Sequence, residues 1–172
     1  MKISLLGYMG SGKTTVGEKL AEALQLEFID LDQKIETNQN KSIVKIFTEL
    51  GQIKFRKIEK QSLTEILERS NNFVLATGGG TPAYYNNIEQ LNQHTDSIYL
   101  RTPIPELLQR LSQEKTNRPL LAHLNEEQLS EFVAKHLFER REFYEKAKNT
   151  VDTKNKSIQE ITDEIIRLLL PT

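Results

Sequence analysis

The sequence predicts an α/β fold in which a mostly parallel sheet is covered by helices on both faces. Two observations support this fold class. Short apolar runs recur along the chain with helical patterns between them, and the first run leads through a glycine-rich loop into a helical pattern. Alternating strands and helices form parallel sheets, in which the carboxyl ends of the strands meet at one edge. We therefore expect ligands to bind along that edge.

Five apolar runs are candidates for buried strands, and they lie at residues 3–6, 28–29, 73–76, 98–100 and 150–151. Helical patterns cover residues 15–24, 33–38, 42–49, 53–69, 104–111, 126–146 and 158–170. Gly51 separates the third and fourth of these patterns. Pro103 suits the start of the fifth, because the first N–H groups of a helix have no partner within it. A chain of 172 residues with this arrangement is expected to form one domain.

The composition is that of a globular protein without an unusual net charge. Hydrophobic residues make up 37% and charged residues 27%, and 23 Lys and Arg against 24 Asp and Glu give a net charge of −1. Because no global field attracts nucleic acid or an anionic membrane, any anion site has to be local. The absence of cysteine excludes disulfides and thiolate metal sites. With no signal peptide and no apolar run of membrane-spanning length, we expect a cytoplasmic protein.

Residues 7–14, with the sequence GYMGSGKT, match the phosphate-binding pattern G-x-x-x-x-G-K-[ST] between a strand and a helix. Its glycines let successive N–H groups point into one nest at the positive end of the helix dipole. We expect a polyphosphate there, with Lys13 reaching the β- and γ-phosphates and the Thr14 hydroxyl binding a Mg²⁺ ion that bridges them. The alternative, a glycine turn that only joins strand to helix, leaves Lys13 without a purpose.

Two acidic residues, Asp30 and Asp32, stand at the end of the second predicted strand. Alternation along an extended chain places them on the same side. One carboxylate near the magnesium ion and a second that accepts a proton from an attacking hydroxyl would suit a kinase. A structural alternative for Asp32 is an N-cap of the helix that follows, and the two roles are compatible.

Arg56 and Glu59 lie three residues apart in a helical pattern, so their side chains can pair. One interpretation is a solvated surface ion pair of little energetic value. The other is an arginine that Glu59 holds in place so that its planar fork binds a substrate carboxylate. The sequence leaves both open.

Two further segments are candidates for ligand contacts. Three glycines, Gly78 to Gly80, follow the third predicted strand, where backbone N–H groups can bind a ligand directly, although a plain loop is the alternative. Residues 115–123 are polar, carry Arg118 and have no helical pattern. Segments of this kind serve as lids, and an arginine on a closing lid can reach a transferring phosphate.

Five separated motifs, taken in order, are similar to those of the shikimate kinase family, and the resemblance covers essentially the whole chain. They are GYMGSGKT, FIDLD, FRKIE, TGGG, and NRPLL followed by RREFY. The resemblance implies a P-loop NTPase fold of the nucleoside-monophosphate-kinase-like type, with a five-stranded parallel sheet flanked by helices and a mobile lid. It implies a single domain over residues 1–172, with the P-loop at 7–14, substrate-binding helices at about 32–70 and the lid at about 112–125.

The resemblance also implies an ATP-dependent kinase that transfers the γ-phosphoryl group of ATP to the 3-hydroxyl of shikimate, in the chorismate and aromatic amino acid pathway. ATP and Mg²⁺ are the implied cofactors, and shikimate is the acceptor. We expect a monomer without nucleic acid or membrane partners. Two other functions stay open at this point, namely a gluconate kinase or another small-metabolite kinase, and a nucleotide-binding switch that catalyses no transfer.

Position by position, the resemblance implies three groups of site residues. The ATP phosphates would be bound by Gly10, Ser11, Gly12, Lys13, Thr14 and Thr15, with Thr14 and Asp30 on the magnesium side. Shikimate would be bound by Asp32, Arg56, Gly78, Gly79, Gly80 and Arg140. Lys13, Asp32 and the lid residue Arg118 would be catalytic, and Arg110 with residues 153–157 would bracket adenine.

Two expectations refine this assignment. Arg140, rather than Arg141, is chosen for the carboxylate because Tyr144 then falls at the distance found in the family. The arginines near the site are expected to lower the pKa of Asp32, the candidate general base, so that it is ionised at neutral pH and only weakly basic. Positioning and electrostatics would then supply most of the rate.

Overall fold

The computed structural model describes residues 1–114 and 121–170. Its centre is a five-stranded parallel sheet with the strand order β2-β3-β1-β4-β5. The strands are β1 (Lys2–Leu6), β2 (Glu27–Asp30), β3 (Phe73–Ala76), β4 (Asp96–Arg101) and β5 (Asn149–Asp152). The predicted five-stranded parallel sheet flanked by helices is confirmed.

The helices are α1 (Lys13–Leu24), α2 (Leu31–Gln39), α3 (Ile43–Leu67), α4 (Asn87–His94), α5 (Ile104–Gln113), α6 (Glu126–Tyr144) and α7 (Ile158–Leu169). A short 3₁₀ helix spans Thr81–Ala83. Helix α3 is broken at Gly51, whose φ of 78° and ψ of 170° are not helical, as its position between two helical patterns predicts. Helix α4 was not predicted.

Two apolar cores lie on the two faces of the sheet, because neighbouring strand residues point to opposite sides. Leu5 belongs to the core that contains the buried residues of α1 and α7, whereas Leu6 belongs to the other. The second core contains buried residues of α2, α3, α4, α5 and α6. Both faces of the sheet are therefore covered, and the central part of β1 and all of β3 are buried.

The strand order brings three loops together at one edge. Strand β3 lies between β1 and β2, with Ala76 opposite both Leu5 and Asp30. The P-loop after β1, the acidic segment after β2 and the glycine loop after β3 therefore start side by side. Within the described ranges, no helix combines the length and the apolar composition needed to cross a membrane.

Candidate active site

The P-loop connects β1 to α1 in the geometry that its sequence predicts. Gly10 and Gly12 have φ values of 80° and 89°, a left-handed region that glycine adopts without steric cost. Gly12 is the N-cap residue of α1, so the first N–H groups of the helix face the loop. Lys13 Nζ donates to the carbonyl oxygens of Gly7 at 2.8 Å and Tyr8 at 3.0 Å. The loop thus presents backbone N–H groups and an ammonium ion at one place.

Asp30 and Thr14 form the oxygen pair beside the P-loop. Thr14 Oγ1 donates to Asp30 Oδ2 at 3.0 Å, and the backbone N–H of Gln33 donates to Asp30 Oδ1 at 3.2 Å. Asp30 is therefore the N-cap residue of α2, and the alternative of Asp32 as an N-cap is wrong because α2 begins one residue before Asp32. A hydroxyl and a carboxylate are the hard oxygen ligands that Mg²⁺ prefers, so this pair fits the ion.

Magnesium bound with a nucleotide usually keeps several waters and takes only one or two protein oxygens. In keeping with this, the described residues contain no group of three or more His, Cys, Asp or Glu side chains that could hold a metal alone. Any Mg²⁺ at Thr14 and Asp30 would therefore depend on the nucleotide phosphates and on water for its remaining ligands.

Asp32 lies in the first turn of α2 and points into the P-loop cavity. Burial, followed by the nearby carboxylates of Asp30 and Glu59, raises the pKa of Asp32 to about 6, although Lys13 opposes the shift. The expectation that arginines lower this pKa is wrong. The reason is that burial and the carboxylates of Asp30 and Glu59 outweigh the effect of Lys13 on this pKa, while Arg56 is paired with Glu59.

Arg56 and Glu59 form a buried pair. Arg56 Nη1 donates to Glu59 Oε2 at 2.8 Å, and the two residues are only 8% and 1% exposed. The interpretation of a solvated surface pair is therefore wrong. Thr81 Oγ1 also donates to Glu59 Oε1 at 2.7 Å, so both oxygens of Glu59 are occupied. The arrangement favours an arginine whose guanidinium is held in one place.

The glycine loop packs directly against these acidic groups. A Cβ atom on Gly78 would lie 3.1 Å from Asp32 Oδ1 and 3.2 Å from Glu59 Oε1. Such separations are tighter than ordinary carbon-oxygen contact, so any larger residue would push the two carboxylates aside. Gly78 therefore allows Asp32 and Glu59 to approach the same stretch of backbone.

The next two glycines approach the two arginines. A Cβ on Gly79 would lie 3.7 Å from Arg140 Nη1, and a Cβ on Gly80 would lie 2.5 Å from Arg56 Nη2. Tyr144 at the end of α6 donates its hydroxyl to the Gly79 carbonyl. The glycine loop at the edge of the sheet therefore lies beside both arginines.

Arg140 and Arg141 point in different directions. Arg140 lines a cavity together with Arg56, and its guanidinium carbon lies 5.9 Å from the ring centroid of Tyr8. Arg141 has a side chain that is 58% exposed and pairs with Glu145 at 2.7 Å. The geometry favours Arg140, as the spacing to Tyr144 predicts.

Two neighbouring cavities meet at Met9, which lines both of them. The first, of about 460 Å³, contains the P-loop with Asp30, Asp32 and Arg110. The second, of about 580 Å³ and here called the acceptor cavity, contains Arg56 and Arg140 among mainly apolar side chains. An anion site for phosphates therefore adjoins a second site with two arginines, as a phosphoryl donor and a carboxylate-bearing acceptor require.

Some of the remaining candidate residues lie within the described ranges and others lie outside them. Ser11 is buried and Thr15 is exposed on the first turn of α1. Arg110 Nη1 donates to the Gly10 carbonyl at 3.0 Å, which connects α5 to the P-loop. Arg118 and part of the predicted lid lie in residues 115–120, outside the described residues.

A protein-family model described as shikimate kinase matches residues 9–170. The chain belongs to this family. A shikimate kinase from Flavobacterium johnsoniae is 44% identical over 170 residues, which cover 98% of each chain. One from Parabacteroides distasonis is 38% identical over 172 residues, covering 98% of this chain and 99% of the relative.

Solved structures agree with this assignment. The crystal structure of a shikimate kinase from Bacteroides thetaiotaomicron superposes with a TM-score of 0.93 at 35% identity, covering 98% of each chain. A shikimate kinase from Acinetobacter baumannii in complex with shikimate gives a TM-score of 0.88 at 37% identity, covering 98% of this chain and 92% of the other. The fold is therefore that of the shikimate kinase family.

Sequence reasoning missed two side chains of the acceptor cavity in this member of the shikimate kinase family. Tyr84 lies over the guanidinium of Arg56, and His136 Nδ1 lies 3.4 Å from the Tyr8 hydroxyl. Burial and the charge of Arg140 lower the pKa of His136. No motif marks either residue. Only the position of Tyr84 shortly after the glycine loop is a signal that could have drawn attention to it.

Gly80→Ala is expected to raise the KM for shikimate about ten- to a hundredfold without changing the KM for MgATP. Gly80 has a right-handed φ of −91°, so alanine brings no backbone strain, and its effect comes from contact with Arg56. Steady-state kinetics with each substrate varied in turn measure both constants. An unchanged shikimate KM would mean that Arg56 can move aside at no cost to binding.

Proposed function

We propose that this chain is a shikimate kinase, an enzyme that transfers the γ-phosphoryl group of ATP to the 3-hydroxyl of shikimate in aromatic amino acid biosynthesis. The observation that carries the proposal is the pairing of two cavities. Arg56 and Arg140 line the acceptor cavity, while Asp32 lies in the adjoining P-loop cavity. A small acid with ring hydroxyls needs an arginine fork for its carboxylate and an acidic residue for its hydroxyls.

The reaction assigns a role to each of the central side chains. The shikimate hydroxyl oxygen forms a bond to the γ-phosphorus, and the bond from that phosphorus to the bridging oxygen of ADP breaks. Asp32 accepts the hydroxyl proton, and its raised pKa makes it a stronger base than an ordinary aspartate. Lys13 and the N–H groups of the P-loop stabilise the charge on the phosphates.

Thr14 and Asp30 would hold Mg²⁺ through the oxygen atoms described above. When bound, the ion neutralises negative charge on the β- and γ-phosphates. The protein's own contribution is to fix the Asp30 carboxylate through the N-cap hydrogen bond from Gln33, and the Thr14 hydroxyl through its hydrogen bond to Asp30.

Other parts of the assignment stay predictions. Ser11, Thr15 and the backbone of Gly10 and Gly12 are proposed to contact the ATP phosphates, and Arg110 the adenosine side. A single domain of 172 residues with its lid at 112–125 is proposed, with Arg118 stabilising the moving phosphoryl group. We also propose that the enzyme is a monomer. We propose that it is cytoplasmic, since a chain without cysteine fits a reducing compartment.

An assay of ADP release tests the function. MgATP is supplied with shikimate, and parallel reactions contain quinate, gluconate or no acceptor. The proposal requires ADP release that depends on shikimate and saturates with it. Release that ignores shikimate but responds to gluconate would assign a different small-metabolite kinase. Nucleotide binding without release under any condition would assign a switch protein.

The pH dependence of shikimate turnover is expected to follow Asp32. Because the pKa of Asp32 in the free enzyme is about 6, kcat/KM should be level above this pH and fall below it, approaching about tenfold per pH unit as the base becomes protonated. A pH series of kcat/KM for shikimate, with MgATP held well below its own KM so that the free enzyme predominates, measures this fall. A profile that stays level down to pH values near 4 would instead match an Asp32 with a lowered pKa.

A further inference from the structure

Tyr84 covers one face of the buried arginine in the acceptor cavity. The guanidinium carbon of Arg56 lies 4.0 Å from the Tyr84 ring centroid, compared with 5.0 Å for Phe55 and 5.9 Å for Phe47. Gln52 Nε2 donates to the Tyr84 hydroxyl at 2.7 Å, which fixes the far end of the ring. Tyr84 is thus the aromatic side chain in closest contact with the guanidinium among those in the described ranges.

The hydrogen bonds of Arg56 do not fix the plane of its guanidinium, so packing against the Gly80 backbone and against Tyr84 has to limit its turning. Glu59 accepts from a single guanidinium nitrogen, Nη1, at 2.8 Å, and Arg56 Nε has no hydrogen-bond partner among the described residues. A hydrogen bond through one nitrogen leaves the guanidinium plane able to turn about that bond. Contact with the Tyr84 ring, over which the guanidinium carbon lies, limits this turning, because the guanidinium cannot tilt without losing the contact.

We propose that Tyr84, held by Gln52, is a positioning residue that sets the plane of the Arg56 guanidinium for the acceptor carboxylate. The inference rests on the proposed function and adds a residue to its acceptor site. Two parallel N–H···O bonds to a carboxylate form only when the guanidinium and the carboxylate share a plane. Tyr84 restricts the guanidinium of Arg56 before shikimate binds, so less conformational entropy is lost on binding. We therefore expect Tyr84 to affect the affinity for shikimate.

The neighbouring residue offers a matched control. Tyr85 is 51% exposed, and its ring centroid lies 5.0 Å from Lys60 Nζ on the outer side of α3. Both tyrosines therefore stand over a cation carried by the same helix, yet only Tyr84 lines the acceptor cavity. Replacing each one removes the same chemical group from two different places.

Tyr84→Ala is expected to raise the KM for shikimate about tenfold, in keeping with a desolvated cation–π contact, and to leave kcat and the KM for MgATP unchanged. Tyr84→Phe keeps the ring and should stay within about threefold of the wild type, as a lost neutral hydrogen bond predicts. Tyr85→Ala should be indistinguishable from the wild type. Gln52→Ala, an exposed change that frees the ring without removing it, should produce an intermediate shikimate KM.

A double-mutant cycle with Arg56→Lys decides whether Tyr84 acts through Arg56. A lysine ammonium has no plane to orient, so Tyr84→Ala should add little in that background. The same loss in both backgrounds, or wild-type shikimate KM in Tyr84→Ala, would overturn the inference alone. Thermal unfolding and the MgATP KM show whether each variant is folded. If Tyr84→Ala does not fold, the shikimate KM of Gln52→Ala tests the inference in its place. Wild-type turnover that ignores shikimate would overturn the proposed function and this inference together.

Discussion

Asp32→Asn is expected to lower kcat for shikimate phosphorylation by about a hundred- to ten-thousandfold while nucleotide binding survives. Asparagine matches the shape of aspartate but cannot accept the hydroxyl proton. Asp32 lines the P-loop cavity without belonging to the P-loop, so the phosphate-binding backbone is untouched. Single-turnover kinetics measure the transfer step, and calorimetric titration with MgADP measures nucleotide binding.

Glu36→Gln is the control for this experiment. Glu36 lies one turn further along α2, and its charge also raises the pKa of Asp32, but it lines neither cavity. Its replacement removes the same charge from the same helix and should leave kcat near the wild-type value. Wild-type turnover in Asp32→Asn would remove Asp32 from the mechanism.

Asp32→Asn is also expected to stabilise the fold. The pKa of Asp32 rises from 3.8 to about 6 on folding, so its ionised form opposes folding above pH 6, and this penalty disappears as the pH falls below the unfolded value. Removing the charge should increase the free energy of unfolding at pH 8 by about 1–3 kcal/mol. Urea denaturation at pH 8 and pH 4 measures the difference. Equal stabilities at pH 8 would contradict the buried, repulsive environment.

Arg56→Lys is expected to raise the KM for shikimate by about ten- to a hundredfold, with little change in the KM for MgATP. Lysine keeps the positive charge, so Glu59 is not left alone in a buried site. What is lost is the planar fork that binds both carboxylate oxygens. Steady-state kinetics with each substrate varied in turn separate the two constants.

Arg69→Lys is the matched control. Arg69 follows the end of α3 and pairs with Glu27 at 2.6 Å, away from both cavities. Replacing this arginine with lysine should leave the KM values for shikimate and MgATP unaltered. Equal increases in the shikimate and MgATP constants of Arg56→Lys would argue against a carboxylate clamp.

Local patterns were sufficient for the parallel sheet, the P-loop and the acidic strand end. Each depends on residues close together in the chain, such as the alternation of apolar runs with helices and the spacing from Gly7 to Thr14. Helix α4 was missed because it is short, with eight residues, and only two of its buried side chains, Ile88 and Leu91, are apolar, so few positions define a helical pattern. Helix ends also differed by a few residues, since capping depends on hydrogen bonds such as the one from Gln33 to Asp30.

The sequence predicted which residues form the site, but it could not predict the electrostatics of that site. Sequence reasoning named Asp32 and Arg56, yet their environments depend on segments far apart in the chain. Burial and the carboxylates of Asp30 and Glu59 together raise the pKa of Asp32, and no sequence spacing reports that sum. Arg56 is buried because α3 and the glycine loop meet around it.

The residue types at the ends of the strands can be identified from the chain alone, and they indicate the class of reaction. Folding is needed to establish that Arg140 turns inward while Arg141 faces solvent, and that Tyr84 covers Arg56. This difference arises because a strand or a phosphate loop is specified by neighbours along the chain. The plane of a guanidinium and the pKa of a carboxyl group depend on neighbours that only folding brings together.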